Sequence, residues 1–304
     1  MKALVTGGAG FIGSHIVDRL LAEGHEVTVL DDFSTGHRGN LADNARLNIV
    51  EGDVRDFDTV NDCAQDVDWV FHKAAIASVP KTVNDPVGSS AVNYQGTLHV
   101  LESARRNKAS RVVFASSAAV YGDEPSLPKE ETMLPVTLSP YAVDKLASEY
   151  ACSMYSRLYG LNAVSLRYFN VYGPRQDPSS PYSGVISIFT DKLKQASTPV
   201  IYGDGEQTRD FVFVSDVVEA NMQAVHQDAA VGQAINIATG TKISLNELLQ
   251  TLCAIEQVEF SADYQQPREG DIKASYANVG KAHALLDWRS NITLEQGLRA
   301  LMQA

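Results

Sequence analysis

Tyr141 and Lys145 stand four residues apart, a spacing that puts two side chains on one face of a helix. A tyrosine phenol titrates at roughly 10. A lysine ammonium a few ångströms away stabilises the phenolate, at about 1.4 kcal/mol for each unit of pKa. Such a pair can take a proton from an alcohol near neutral pH. Ser116-Ser117 lies upstream and offers a hydroxyl to an oxygen on which charge develops. Alone, this Tyr/Lys spacing would describe many solvated helix faces. Its meaning comes from what precedes it in the chain.

Gly7, Gly10 and Gly13 form a GxxGxxG turn between an apolar run and a helical segment. Glycines there permit a tight turn and let a pyrophosphate approach a helix N-terminus, where free N–H groups and the helix dipole favour anions. Asp31 closes the second apolar run, where a carboxylate can accept hydrogen bonds from the adenosine ribose hydroxyls. With Asp32 beside it, the site repels a 2′-phosphate, so NAD is expected rather than NADP, although Arg38 is near. Asp53-Val54 after the third run resembles the pair that packs on adenine in dinucleotide-binding folds.

These residues need a scaffold that brings strand ends together. Ala3–Val5, Val27–Leu30, Leu47–Val50, Trp69–Phe71, Val112–Ala115 and Ala163–Leu166 read as short buried strands. Helical stretches fall between them at Phe11–Glu23, Thr59–Ala64, Pro86–Asn107 and from Ser139, a cap followed by Pro140, to about Gly160. The alternation predicts an α/β, Rossmann-type doubly wound parallel sheet. The chain changes character near residue 170. The expected division is 1–170 and 171–304, with some later elements returning to the first sheet. In the second part, helices are predicted near Gly184–Gln195, Ser215–His226, Ser244–Cys253, Asn278–Leu286 and from Leu294, with a strand at Val200–Tyr202.

Composition narrows the partners. The 304 residues carry a net charge of −12, which disfavours nucleic acid. Cys63, Cys152 and Cys253 are far apart, and His15, His37, His72 and His99 are scattered, so neither a disulfide framework nor a metal site is expected. His72, at a strand end, reads as structural. No apolar run reaches the roughly 20 residues of a membrane span. The glycine turn follows the first residues at once, leaving no room for a signal peptide, so a cytoplasmic location is expected.

The whole length resembles the extended short-chain dehydrogenase/reductase family, and within it the nucleotide-sugar 4-epimerases. The motifs are TGGAGFIGSH at the start, DDFSTG after the second strand, GDV, HKAA, SSAAVYG, SPYAVDK, LRYFNVYGPRQ, RDFVFVSD and REGD. The resemblance implies NAD held by Gly7, Gly10, Phe11, Ile12, Gly13, Asp31, Asp32, Ser34, Thr35, Gly36, Asp53, Val54, Ala74, Ala75, Asn93, Ser116, Tyr141, Lys145 and Tyr168. It implies Ser117, Tyr141 and Lys145 as the catalytic set, and a smaller C-terminal α/β lobe for substrate. Substrate contacts are implied at Ala77, Ser78, Ser117, Asn170, Val185, Tyr202, Arg209, Arg268, Asp271 and Ser275. Arginine forks suit diphosphate oxygens, which gives Arg209 and Arg268 a physical reason. The long helices near 86–107 and 139–159 resemble those of a four-helix homodimer interface, and their apolar positions fit an intramolecular core as well.

Related enzymes do other chemistry on this scaffold. Similar 4,6-dehydratases carry an Asp-Glu pair just after the Ser/Thr, and similar decarboxylases a Glu before the Val-Tyr-Gly. Here those positions are Ala118-Ala119. Without an additional acid or base, reversible hydride transfer at C4 through a 4-keto sugar is the chemistry left. The expected function is a UDP-sugar 4-epimerase; a decarboxylase, a dehydratase or a non-catalytic dinucleotide sensor are the alternatives. In similar epimerases, the residue five after the Gly of REGD sets the space beside the sugar C2. Ser275 is small there, which favours UDP-GlcNAc/UDP-GalNAc alongside UDP-glucose/UDP-galactose, although a one-residue shift would place Tyr276 in that gate.

Overall fold

The computed structural model describes residues 1–177, 184–267 and 272–303. Six strands lie where the apolar runs predict them: Lys2–Thr6 (β1), Glu26–Asp31 (β2), Leu47–Glu51 (β3), Trp69–His72 (β4), Arg111–Ser117 (β5) and Ala163–Tyr168 (β6). All pair in parallel, in the spatial order β3-β2-β1-β4-β5-β6. The central ones are buried on both faces, which is why they read as continuous rather than alternating apolar runs.

Phe11–Ala22 (α1), Phe57–Cys63 (α2), Val79–Asn84 (α3), Pro86–Ser90 (α4), Gly96–Arg106 (α5) and Pro140–Tyr159 (α6) connect these strands. The ends of α6 are where the sequence puts them. The Ser139 hydroxyl accepts from Ala142 N at 3.2 Å, Pro140 opens the helix, and Gly160 closes it in the left-handed conformation. The helix predicted over 86–107 is not uniform. A π-helical turn, Ala91–Gln95, joins α4 to α5 and carries Asn93. α2 starts two residues before the predicted Thr59, because Asp56 caps it by accepting from Asp58 N and Thr59 N.

Beyond β6 the elements are Asn170–Tyr172 (β7), Val185–Lys194 (α7), Val200–Tyr202 (β8), Thr208–Arg209 (β9), Phe211–Phe213 (β10), Val214–His226 (α8), Ala234–Ile237 (β11), Ile243–Ser244 (β12), Leu245–Glu256 (α9), Asp263–Gln265 (β13), Gly280–Leu286 (α10) and Leu294–Met302 (α11). β11 pairs with β6 and becomes the seventh strand of the main sheet. α8 packs beside α1 in the core on one sheet face, through Val217, Val218 and Met222. The opposite face is covered by α2, α5 and α6, around Leu30, Phe114 and Leu101. A third apolar cluster, with Phe189, Ile201, Leu248 and Leu298, binds the C-terminal elements and reaches Phe11 and Ile12 of α1.

Candidate active site

Ser117 ends β5, at the C-terminal edge of the sheet where doubly wound folds bind ligands. Its hydroxyl caps a helical turn, Ala118–Tyr121, by accepting from Ala119 N at 3.2 Å, and lies close enough to the Tyr141 phenol to act on its pKa. Lys145, one turn along α6, donates from Nζ to Ala115 O at 2.7 Å. That ammonium lies 5.7 Å from the Tyr141 ring centroid and 4.8 Å from that of Phe114. The three side chains therefore meet around the last turn of β5, as the sequence predicts. Their electrostatics differ from the simple expectation. Burial pushes the Tyr141 phenol up, and the neighbouring Ser117 hydroxyl offsets this in part. Burial likewise lowers Lys145 to about 8, against the pull of Asp144, Cys152 and Glu149. Lys145 is held over the tyrosine ring rather than on its oxygen, so desolvation dominates the phenol.

The glycine turn is shaped by close approaches. Gly7 has φ +67°, and a Cβ there would lie 2.6 Å from Ala74 N. A Cβ on Gly13 would lie 2.1 Å from Gly7 O. Gly10 precedes α1 and supplies no capping side chain. Phe11 and Ile12 open the helix, half-buried. The Ala74 backbone, just past β4, closes on this turn, and Ala75 follows it, half-buried. Asp31 accepts from Ala9 N at 2.8 Å and from Phe33 N at 2.9 Å, and its burial raises its pKa. Gly36 folds so close that a Cβ would lie 2.8 Å from Asp31 Oδ1. Asp32 binds the Ser34 amide and hydroxyl at 2.9 and 2.7 Å, and Thr35 is exposed beside them. Asp53 is paired with Arg55, and Val54 is buried against Gly96. This turn, so tightly folded that β-carbons at Gly7 and Gly13 would strike backbone, with an uncapped helix start and a carboxylate beside it, fits a dinucleotide.

Three expected cofactor residues spend their side chains on the protein. Asn93 brackets Ile76, accepting from its amide at 2.8 Å and donating to its carbonyl at 3.2 Å, and so fixes the segment between β4 and α3. The Ser116 hydroxyl donates to Glu149. The Tyr168 hydroxyl accepts from Lys73 Nζ at 3.0 Å and donates to Asn221 Oδ1 at 3.0 Å, while burial pushes its pKa up. Lys73, not singled out from sequence, also reaches Val113 O at 3.2 Å, and burial lowers its pKa strongly. His72 is clamped between Thr6 and Thr97, as a structural histidine should be.

The candidate substrate residues come from separate elements. Ala77 is exposed after β4, and Ser78 caps α3 by accepting from Lys81 N. Asn170 is exposed at the start of β7. Val185 starts α7 and Tyr202 ends β8. Arg209 donates to Thr208 O at 2.9 Å and Ile272 O at 2.6 Å. Ser275 N donates to Thr208 O at 3.0 Å, which holds Ser275 beside β9. Arg268 and Asp271 lie outside the described residues. Sequence reasoning missed Asp210. It is fully buried and accepts from Thr239 N, Thr239 Oγ1 and Gly240 N at 2.8, 2.7 and 2.9 Å, and from Ala277 N at 3.3 Å. One carboxylate thus joins the loop after β11 to the segment carrying Ser275. An Asp directly after a candidate phosphate-binding Arg was the available signal.

Comparison with known proteins places this arrangement. The profile of the NAD dependent epimerase/dehydratase family matches residues 3–238. UDP-glucose 4-epimerase from Mycolicibacterium smegmatis is 40% identical over 303 residues, covering 98% of this chain and 96% of that protein. Among solved structures, UDP-glucose 4-epimerase with UDP-glucose from Thermotoga maritima superposes with a TM-score of 0.95 at 37% identity, over 100% of this chain and 98% of its own. UDP-N-acetylglucosamine 4-epimerase from Methanobrevibacter ruminantium, in complex with UDP-N-acetylmuramic acid, also gives 0.95 at 37% identity, over 99% and 97%. With a family profile over most of its length and relatives this similar along the whole of it, the chain belongs to the NAD-dependent epimerase/dehydratase family.

Proposed function

We propose that the protein is an NAD-dependent UDP-sugar 4-epimerase that interconverts UDP-glucose/UDP-galactose, UDP-GlcNAc/UDP-GalNAc or both. The observation that carries this reading is the meeting of Ser117, Tyr141 and Lys145 at the end of β5, next to Ala118-Ala119 where elimination or decarboxylation would need acids. Ser117 hydrogen-bonds the sugar 4-oxygen and Tyr141 takes the 4-hydroxyl proton, then returns it to that oxygen once the 4-keto sugar has turned its other face to the cofactor. Lys145 supplies positive charge beside the phenol and a donor to the nicotinamide ribose. Bound NAD would supply the hydride acceptor and donor at C4, which would leave no net redox change. The glycine turn and Asp31 hold the dinucleotide; Asp32, Ser34, Thr35, Gly36, Asp53 and Val54 surround its adenosine. Asn170 and Arg209, with Arg268 and Asp271, hold the nucleotide diphosphate, Ser275 lies beside the sugar, and Ala77, Ser78, Val185 and Tyr202 complete the substrate site. In this reading residues 1–170 serve the cofactor, and 171–304 mainly the nucleotide sugar.

A homodimer completes the proposal. Val143, Tyr150, Met154 and Leu158 form an exposed apolar stripe along α6, with Val83 and Val87 exposed on the adjoining α3 and α4. A run of that kind on neighbouring helices suits a second copy of the chain. No helix among the described residues is long and apolar enough to cross a membrane. The free thiols of Cys63, Cys152 and Cys253 support residence in the reducing cytoplasm.

The substrate range is tested by following UDP-GlcNAc and UDP-glucose separately by proton NMR with the parent protein and Ser275→Tyr. The variant should lose N-acetyl turnover and keep UDP-glucose turnover. Unchanged N-acetyl turnover would remove Ser275 from the account.

A further inference from the structure

One buried ion pair sits directly behind the catalytic set. Glu149 follows Lys145 by one helical turn and Tyr141 by two, so all three share a face of α6. It is 5% exposed. Its Oε1 accepts from the Ser116 hydroxyl at 2.5 Å and from Arg167 Nε at 2.8 Å, and its Oε2 accepts from Arg167 Nη2 at 2.8 Å. Arg167 lies on β6 directly opposite Ser116 in the parallel register. Its guanidinium carbon stands 4.9 Å over the ring of Tyr121, whose hydroxyl donates to Asn236 Oδ1 on β11 at 2.7 Å. Ser116 and Tyr121 flank the stretch that contains Ser117. Ser116 rests on Glu149 and Tyr121 on Arg167, the two members of one ion pair.

We propose that Glu149 is a positioning residue: with Arg167 it clamps the 116–121 segment at both ends, and so fixes the Ser117 hydroxyl against the Tyr141 phenol. Stability alone gives no reason to keep such a pair. Replacing a buried ion pair with apolar groups of similar size is often neutral or stabilising, whereas removing one partner is costly. Position is a sufficient reason, because a displacement of about 1 Å at a reacting group costs on the order of a hundredfold in rate. The bidentate fork allows little rotation, since two parallel hydrogen bonds fix the guanidinium plane. Burial pushes the Tyr121 phenol up to about 12, so it stays protonated and remains a donor to Asn236. Ser117 itself leaves β5 through a turn that its own hydroxyl caps, so a shift at Ser116 moves both its backbone and its rotamer.

This inference rests on the roles proposed for Ser117 and Tyr141, and the experiment separates the two. Turnover, KM, bound NAD and melting temperature are measured for Ser116→Ala, for the charge-neutral double variant Glu149→Gln/Arg167→Met, and for Tyr141→Phe as reference. Ser116→Ala deletes one hydroxyl and leaves the ion pair intact, so it should fold. It should lower kcat at least tenfold, with KM for the UDP-sugar within about twofold and NAD content unchanged, a split that a purely structural role would not give. The double variant removes both charges together but leaves the buried amide N–H that Glu149→Gln introduces without an acceptor, so its melting temperature should fall by about 2–6 °C while kcat falls to a similar degree. A fall of less than tenfold in Ser116→Ala would overturn the positioning role. If Tyr141→Phe itself keeps parental turnover, the catalytic reading fails instead.

Discussion

Replacing Asp210 by Asn should weaken the substrate side of the molecule without touching a reacting atom. The carboxylate is fully buried and accepts four hydrogen bonds, two on each oxygen. Burial raises its pKa despite them, so the ion is held at a cost that those donors offset. An amide of the same shape can keep its oxygen on Thr239. Its NH₂ group would then face the N–H groups of Gly240 and Ala277, leaving both without an acceptor. An unsatisfied buried donor costs about 1–3 kcal/mol, so the pair should cost about 2–6 kcal/mol. At roughly 2 °C per kcal/mol for a chain of this size, the melting temperature should fall by about 4–12 °C. Ala277 lies two residues beyond Ser275, and the freed segment also bears Ile272, whose carbonyl Arg209 holds. KM for the UDP-sugar should therefore rise about tenfold, while kcat stays within about threefold. Differential scanning fluorimetry and initial rates read both effects. A melting temperature within 2 °C of the parent, or a loss confined to kcat, would refute this reasoning.

Other outcomes follow from the same geometry. Gly13→Ala places a β-carbon 2.1 Å from Gly7 O, against backbone that cannot yield, and should reduce co-purifying NAD to less than about a tenth of the parental content, read by absorbance after extraction. Lys145 gives a pH effect of known sign in the cofactor-free protein. Burial lowers its folded pKa to about 8, while the unfolded lysine keeps its proton to about 10.4. Between those values the unfolded state binds more protons, so stability relative to Lys145→Met should rise by about 2–3 kcal/mol from pH 7.5 to pH 10 in denaturant melts. A difference independent of pH would contradict the burial of that ammonium. Leu158→Glu puts a charge into the exposed α6 stripe, where Leu158 is 70% exposed in the single chain, and should convert a dimer to a monomer by light scattering.

What the sequence revealed and what it hid have physical causes. β1 to β6 were legible because strands buried on both faces become short unbroken apolar runs, and α6 because Ser139, Pro140 and Gly160 mark its ends chemically. Ser117, Tyr141 and Lys145 were legible because a strand end and a helical repeat fix them locally. β11 was missed since Ala234–Ile237 is four residues whose role depends on pairing with β6, a contact no local pattern announces. The two- and three-residue strands β9, β10, β12 and β13 escaped for the same reason. Side-chain commitments were hidden as well. Asn93, Ser116 and Tyr168 were expected on the cofactor, yet each bonds to a residue brought near only by folding: Ile76, Glu149 and Asn221. The sequence places a polar group near a site, and its neighbours in the fold decide what the group holds.

The most direct test of the central claim is proton NMR of UDP-glucose and UDP-GlcNAc incubated with the NAD-loaded protein and with Tyr141→Phe. The account predicts interconversion at C4 by the parent with no accumulation of NADH, and a loss of about 10²–10⁴-fold in the variant with its NAD retained. Absence of any C4 epimer from the NAD-loaded parent, or undiminished epimerisation by Tyr141→Phe, would contradict it.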